Sequence, residues 1–219
     1  MKLFKLIVVI VVVVGLFVLL YGGDRLSEIY KSVEKYASIN TPDTYSVTVE
    51  NRRFSEALSE LPEDVLIGGA RPSVLIKFKK GEGFKVVISG VKEEYAGLFS
   101  MYEDYFRFSG ISKMQNPPEL KEIIDKGLVE YVGREGKFEI LKAWDPEKGK
   151  SENSYALFYI DPEKWVIVKA RYFLEGAEYV QAINSYKKIG KYYLPDKIVL
   201  KYLGEGTEET FEFKNYVFK

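Results

Sequence analysis

Residues 155–174 have the sequence YALFYIDPEKWVIVKARYFL, in which two aromatic and β-branched runs flank Asp161-Pro-Glu163. Runs of this composition, bounded by turn residues, are typical of β-strands. Asp-Pro is first of all a turn signal. The stretch therefore predicts two strands joined by a tight turn, the start of an antiparallel sheet.

Both faces of this predicted hairpin are apolar. On the first strand Tyr155, Leu157 and Tyr159 point to one face, and Ala156, Phe158 and Ile160 point to the other. On the second strand only Lys169 and Arg171 interrupt the apolar pattern. An antiparallel sheet with one solvent-exposed face should alternate between apolar and polar residues along each strand. Either this sheet is covered on both sides, or one face lines an apolar cavity.

The same strand-and-turn pattern extends in both directions along the chain. Downstream of Gly127 the turn signals are Gly133–Gly136, Asp145–Gly149, Asp161–Glu163, Glu175-Gly176, Ile189-Gly190 and Gly204–Gly206. Upstream, alternation predicts strands over residues 45–49, 74–79 and 84–89. Together these give about nine or ten strands, which must curl into a sandwich, a barrel or a half-barrel.

Three segments have the periodicity of helices instead. Apolar residues spaced by three and four predict an amphipathic helix over residues 26–37 and a second, strongly aromatic one over residues 95–106. Pro117-Pro118 opens a short third helix, for which Gly127 is a plausible end. The domain is therefore mainly β with a few helices.

The amino terminus contains an uninterrupted apolar run from Leu6 to Tyr21. Lys2 and Lys5 precede the run, so the positive-inside rule leaves the amino terminus in the cytoplasm and exports the rest. We interpret residues 1–22 as a single transmembrane anchor or uncleaved signal, and residues 24–219 as an extracytoplasmic domain at the cell membrane. A cleaved signal peptide is the competing interpretation, although its apolar region is usually shorter.

Composition excludes several kinds of chemistry. The chain has no histidine and no cysteine, which removes nucleophile pairs that need imidazole and ordinary zinc sites. We therefore expect no metal, no cofactor and no catalytic residues. Lys and Arg balance Asp and Glu at 32 each, so nucleic acid is not an expected partner. Abundant Lys and Glu with only two Gln favours a thermophilic source.

The carboxy-terminal third resembles a known family. Leu157–Trp165, the strand carrying Arg171, Gly176 and the segment Tyr192–Ile198 resemble the LolA/LolB-like lipoprotein carriers and their sensor relatives, best over residues 155–219. In that family an Ile-Asp-Pro turn joins two long strands and a Leu-Pro-x-Lys segment opens a later one. The order of helix, strands, central helices and meander is also similar.

The resemblance implies an antiparallel unclosed β-barrel, or half-barrel, whose N-terminal and central helices cover the concave face. That face would receive an acyl chain, and each buried methylene contributes about 0.8 kcal/mol. We expect the aromatic helix to lie over the sheet, so that two groups face each other across a cavity. The predicted ligand-binding residues are Leu98, Phe99 and Tyr102 on the helix, and Phe158, Trp165, Ile167 and Phe173 on the sheet.

Three functions follow from these patterns. The first is a membrane-anchored extracytoplasmic protein that binds an acyl chain, lipid or lipoprotein. The alternative is an anchored structural or protein-interaction module with an envelope protein partner and no small ligand. An extracytoplasmic hydrolase using carboxylates is the third, and we expect no enzyme, because no constellation of residues indicates one. A deep apolar cavity favours the first and a filled core with an exposed patch the second.

Overall fold

The computed structural model of the protein describes residues 25–103, 106 and 109–218. In this part of the chain ten strands form a single sheet: β1 Thr44–Glu50, β2 Ser73–Lys79, β3 Gly83–Ser89, β4 Val129–Glu135, β5 Phe138–Ala143, β6 Tyr155–Asp161, β7 Val166–Leu174, β8 Ala177–Ile189, β9 Tyr192–Tyr202 and β10 Thr207–Phe218. All neighbours are antiparallel, in the order β3-β2-β1-β10-β9-β8-β7-β6-β5-β4. Strands β3 and β4 are the two edges, so the barrel is unclosed. The predicted strand number and half-barrel are confirmed.

Residues 155–174 form the predicted antiparallel hairpin, with one register shift between Tyr159 and Ile160. Phe158 lies opposite Ala170, and Tyr155 lies opposite Phe173. The chain reverses at the Asp-Pro turn, where the backbone N–H of Trp165 donates to the carbonyl of Asp161 at 2.7 Å. Trp165 has a φ of 45°, a left-handed conformation that closes the turn and is unusual for a bulky residue.

The α-helices that accompany the sheet include α1, which spans 25–40, α2 Arg52–Ser59, α3 Ile111–Gln115 and α4 Pro117–Asp125, and Glu103 and Phe106 are also helical. The apolar stripe of α1 is buried at Ile29, Val33 and Ala37, and the first two belong to the main hydrophobic core. Helix α4 begins at the predicted prolines, whose missing N–H costs nothing in a first turn. The first and third predicted helices are therefore confirmed.

On the second face of β5–β7, cations lie over aromatic rings. The Nζ atom of Lys142 lies 4.0 Å from the ring centroid of Tyr155, and that of Lys169 lies 5.3 Å from Tyr159. The Arg171 guanidinium lies 5.2 Å from the Phe173 ring. Such contacts shield ring faces from water while the charged ends stay solvated. This explains why both faces look apolar in the sequence.

The predicted continuous helix over residues 95–106 is wrong in its first half. Two separate 3₁₀ turns, Glu93–Tyr95 and Ser100–Tyr102, occupy that part. The carbonyl of Ala96 accepts the N–H of Ile88, and the carboxylate of Glu103 accepts the N–H of Val86. The segment therefore satisfies the free edge of β3, and this tertiary demand overrides the helical periodicity.

The predicted anchor, residues 1–22, lies outside the described residues. Over 25–103, 106 and 109–218 the structure contains no helix that is both long and apolar enough to span a membrane. The division of the chain into an anchor and a domain stays a prediction.

Candidate functional site

A cavity of about 730 Å³ opens between the concave face of β5–β7, helix α4 and the loop that connects β5 to β6. Its sheet side is formed by Ala143, Ala156, Phe158 and Tyr172. A volume of this size falls within the range of small-molecule sites. The cavity therefore has the size of a small-molecule site, and its sheet side is apolar.

Small side chains explain why the sheet leaves space here. Ala143 and Ala156 are directly opposed on β5 and β6, and Phe158 lies opposite Ala170 on β7. Opposed residues on one face of a sheet are in contact, so two alanines in a row leave a depression that larger side chains would fill. Burial raises the pKa of the neighbouring Tyr172 well above its ordinary value, so its hydroxyl stays neutral.

The helical wall is held by a polar network. The carboxylate of Glu119 accepts hydrogen bonds from the Ser112 hydroxyl at 2.9 Å and from Asn116 Nδ2 at 2.7 Å. Asn116 Oδ1 in turn accepts the backbone N–H of Gly81 at 2.9 Å, in the β2–β3 turn. A Cβ on Gly83 would lie 2.3 Å from Glu119 Oε1. A side chain at position 83 would therefore have to displace the Glu119 carboxylate, and the φ of +80° at Gly83 also favours glycine there.

The loop wall is built around a buried tryptophan. Trp144 Nε1 donates to the carbonyl of Ser151 at 2.7 Å. Asp145 closes the intervening turn, because its Oδ1 accepts the N–H of Glu147 and its carbonyl accepts the N–H of Gly149. The indole is thus fixed by its own hydrogen bond while its ring lines the cavity.

The other end of β5 contains a buried charge. The Glu139 side chain is fully buried and accepts hydrogen bonds from Arg25 on α1 and from Arg134 on β4. Burial alone raises the pKa of Glu139, but hydrogen bonds from Arg134, Arg25 and Tyr131 outweigh it and lower that pKa to about 2. Glu139 is therefore ionised at neutral pH, and the ion pair ties the start of α1 to the strands.

The structure divides the seven predicted site residues. Phe158 lines the cavity from the concave face, whereas Phe173, which stacks on Tyr155, reaches it only at its edge. Leu98 is 49% exposed, whereas Phe99 is 7% exposed. The remaining residues do not line the cavity.

Phe99 and Tyr102 pack against Phe54 of α2, with ring centroids 5.7 and 4.8 Å away. Because the 3₁₀ turns follow the β3 edge, their aromatic rings lie over that half of the barrel and not over β6 and β7. Trp165 belongs to the turn at the end of β6.

Ile167 is buried beneath Gly110, whose φ is +73°. A Cβ at Gly110 would lie 2.6 Å from Ile167 Cδ1 and 3.0 Å from Phe158 Cε1. The segment entering α3, and not residues 98–102, therefore covers this part of the sheet. The predicted two-sided arrangement is corrected accordingly, and ligand binding by any of the seven residues stays a prediction.

Sequence reasoning missed several lining residues. Ala143, Ala156, Trp144 and Glu119 were not among the predicted site residues. Alanine in a strand rich in β-branched and aromatic residues is the signal that would have found the first two, since it marks missing volume. For metals, the part of the chain that is described contains no cluster of acidic side chains arranged to hold an ion.

Comparisons with known proteins test the fold. No family model and no curated protein matches the chain. A putative outer membrane lipoprotein-sorting protein domain from Vibrio parahaemolyticus matches with a TM-score of 0.51 and 10% identity, over 87% of this chain and 92% of that chain. The fold is LolA/LolB-like.

Two further solved structures are similar to this LolA/LolB-like fold. A DUF1329 family protein from Desulfovibrio piger has a TM-score of 0.45 and 10% identity, over 88% of this chain and 92% of that one. A LolA superfamily protein from Nitrosomonas europaea has a TM-score of 0.39 and 9% identity, over 86% and 92%. At such identities the likeness concerns the fold, and function has to be argued from the site.

Proposed function

We propose that the protein binds an acyl chain, of a lipid or of a lipoprotein, in the cavity between β5–β7 and α4. The observation that carries this proposal is the apolar floor of Ala143, Ala156, Phe158 and Tyr172 inside a cavity of about 730 Å³. Burying methylenes on such a floor contributes about 0.8 kcal/mol each. A chain of about ten or more carbons would therefore supply enough free energy for stable binding.

The LolA/LolB-like fold supports this proposal. A half-barrel leaves its concave face accessible between its two sheet edges, here β3 and β4. The similar domain from Vibrio parahaemolyticus is described as a putative lipoprotein-sorting domain. We extend that description to this chain as a binding role and assign it no catalytic step.

We further propose that the domain acts while attached to the cell membrane through residues 1–22, on the extracytoplasmic side. The apolar run from Leu6 to Tyr21, preceded by Lys2 and Lys5, supports this orientation. Protease added to spheroplasts should digest the domain while a tag placed before Lys2 stays protected. A protected domain would refute the orientation without touching the binding proposal.

The alternative role is a protein-interaction module of the envelope. It is favoured by Leu174 and Tyr179, which are exposed at the mouth of the cavity. Exposed apolar residues at a rim suit a protein partner as well as a lipid. The two roles differ in whether the floor of the cavity, and not only its rim, is needed.

Native mass spectrometry of the full-length chain purified from membranes tests the binding role. We expect a co-purifying acyl species on the wild type. Ala156→Trp should reduce its occupancy about tenfold or more, because an indole placed on the floor takes the space of the ligand. Titration with a pyrene-labelled acyl probe should show the same loss.

Ala70→Trp is the matched control, since Ala70 is exposed in the loop before β2 and receives the same side chain. It should leave acyl binding and the melting temperature unchanged. If Ala156→Trp binds acyl probe as well as the wild type and melts normally, the cavity is not the binding site. Should the Ala156 variant fail to fold, Ala143→Leu offers a smaller intrusion on the same floor.

A further inference from the structure

The mouth of the cavity is strongly acidic. Six carboxylates line it, from the β2–β3 turn, the central segment, α4 and the β5–β6 loop: Glu82, Glu103, Glu119, Glu122, Asp145 and Glu147. Among the described residues of the same lining, Lys113 and Lys148 are the basic ones. The chain as a whole is balanced in charge, so this excess of negative charge is a local property of the mouth.

Existing contacts reduce this charge only in part. Glu82 and Glu122 form ion pairs with Lys79 and Lys126 on the solvent side. Such exposed pairs are weak and screened by salt. The hydrogen bonds that Glu119 accepts come from the neutral groups of Ser112 and Asn116, which orient the carboxylate and leave its charge in place.

Two further lysines lie near the cavity without lining it. Lys142 and Lys150 lie 5.1 and 4.8 Å from the Trp144 ring and do not line the cavity. Lys150 is also paired with Glu130 at 2.5 Å. Both cations therefore interact with the Trp144 ring, and Lys150 also pairs with Glu130 on β4.

We propose that the cavity selects acyl chains whose polar end is uncharged or cationic, and that it rejects free fatty acids and anionic lipid headgroups. This inference rests on the proposed acyl-binding function. An apolar floor beneath a ring of like charges focuses the field at the mouth, where the polar end of a bound chain must lie. A carboxylate or phosphate placed there meets repulsion, whereas an ester, an amide or an ammonium group does not. Acyl chains joined to a protein or to an amine through ester or amide bonds belong to the accepted class.

Three pyrene probes of equal chain length test the selection on the full-length wild type: pyrenedodecanoic acid, its methyl ester and pyrenedodecylamine. In low salt, we expect the ester and the amine to bind at least about fivefold more tightly than the acid. At about 0.5 M salt the ratio should fall to within about twofold, because screening shortens the range of the rim charges.

The triple variant Glu82→Gln, Glu122→Gln, Glu147→Gln should bring the acid within about twofold of the ester in low salt. These three carboxylates are exposed, so the fold should be unaffected. Glu56→Gln, Glu60→Gln, Glu94→Gln is the matched control, with the same change in net charge at positions that do not line the cavity. It should keep the wild-type ratio.

The outcomes separate charge selection from acyl binding. If all three probes bind the wild type with similar affinity, charge selection is refuted while acyl binding stands. Charge selection is likewise refuted if the rim triple variant and its control change the ratio equally. If none of the probes binds, the proposed acyl-binding function itself fails, and this inference fails with it.

Discussion

The two halves of the concave face differ in side-chain volume and not in hydrophobicity. Around β1, β10 and α2 the space is filled by interlocking rings, with Phe54 lying 5.7 Å from both Phe99 and Phe211 between centroids. Along β5 and β6, the opposed pair Ala143 and Ala156 leaves a cavity instead. Both halves belong to one continuous sheet. The position of the cavity in this half-barrel is therefore set by where small residues interrupt an apolar face.

The largest expected effect comes from placing a charged side chain in the filled half of the concave face, which tests whether that half is packed core. Phe99→Asp should destabilise the domain by about 3–5 kcal/mol, because it removes ring contacts with Phe54 and Tyr102 and leaves an unpaired buried carboxylate. Leu98→Asp is its neighbour and control. Since Leu98 is half exposed, that change should cost no more than about 0.5 kcal/mol. Urea unfolding at neutral pH measures both.

An intact melt for Phe99→Asp together with a loss of acyl binding would restore the position that the periodicity first predicted for Phe99. The structure leads us to expect the opposite pattern, with a collapsed melt for Phe99→Asp and a normal one for Leu98→Asp. The pair therefore distinguishes filled core from cavity with adjacent residues of similar size.

The sheet was predictable because its signals are local. Alternation over 155–174, the Asp-Pro turn and the glycine turns each specify strand and hairpin within a few residues. Helices α1 and α4 were predictable for the same reason, through a long apolar stripe and an initial Pro-Pro. Local signals sufficed wherever neighbouring residues in the chain are also neighbours in space.

The site was less predictable because it depends on contacts between distant segments. The periodicity of residues 95–106 could not reveal that this segment would accept hydrogen bonds from the backbone N–H groups of Val86 and Ile88. Nor could alternation distinguish Ala143 and Ala156 as an opposed pair, because the register of β5 against β6 sets that contact. Phe158 and Phe173 were found because a large apolar residue is conspicuous, whereas absence of volume is not.

As the pH falls, the half of the sheet around the cavity should lose stability before the filled half does. The folded-state pKa of Glu139 is about 2, below its ordinary value of 4.5. The ion pair with Arg25 and Arg134 therefore stabilises the fold fully above about pH 4.5, and this stabilisation is lost as pH falls through about 2. Allowing for solvent around Arg134, the loss should be about 2 kcal/mol.

The difference between the pH profiles of wild type and Glu139→Gln isolates this contribution, because all other carboxylates are common to both. We expect the gap in unfolding free energy to close between about pH 4.5 and about 2. Hydrogen exchange should rise first in α1 and β5 and later in β1 and β10. A gap that is constant across this range would show that Glu139 contributes no ionic stabilisation.

The smallest expected effect concerns the outer face of the sheet behind the cavity. There a lysine side chain covers aromatic rings that a second sheet would cover in a β-sandwich. Lys142 lies over Tyr155 and near Trp144, with Nζ 4.0 and 5.1 Å from their ring centroids. Lys142→Met keeps most of the stem and removes the charge, so it should cost about 0.5–1 kcal/mol through the lost cation–π attraction. Lys85→Met, at an exposed position on β3, controls for loss of a surface charge and should be neutral within about 0.5 kcal/mol.

Because the stem of the introduced methionine would still cover Tyr155, the affinity for the acyl probe should change less than about twofold in Lys142→Met. Intrinsic tryptophan fluorescence should shift, because the cation no longer lies over the Trp144 ring. If both variants lose the same stability, the cations on the outer face act only as solubilising charges, and the stacked rings of Tyr155 and Phe173, with centroids 4.7 Å apart, would be sufficient to cover the sheet behind the cavity.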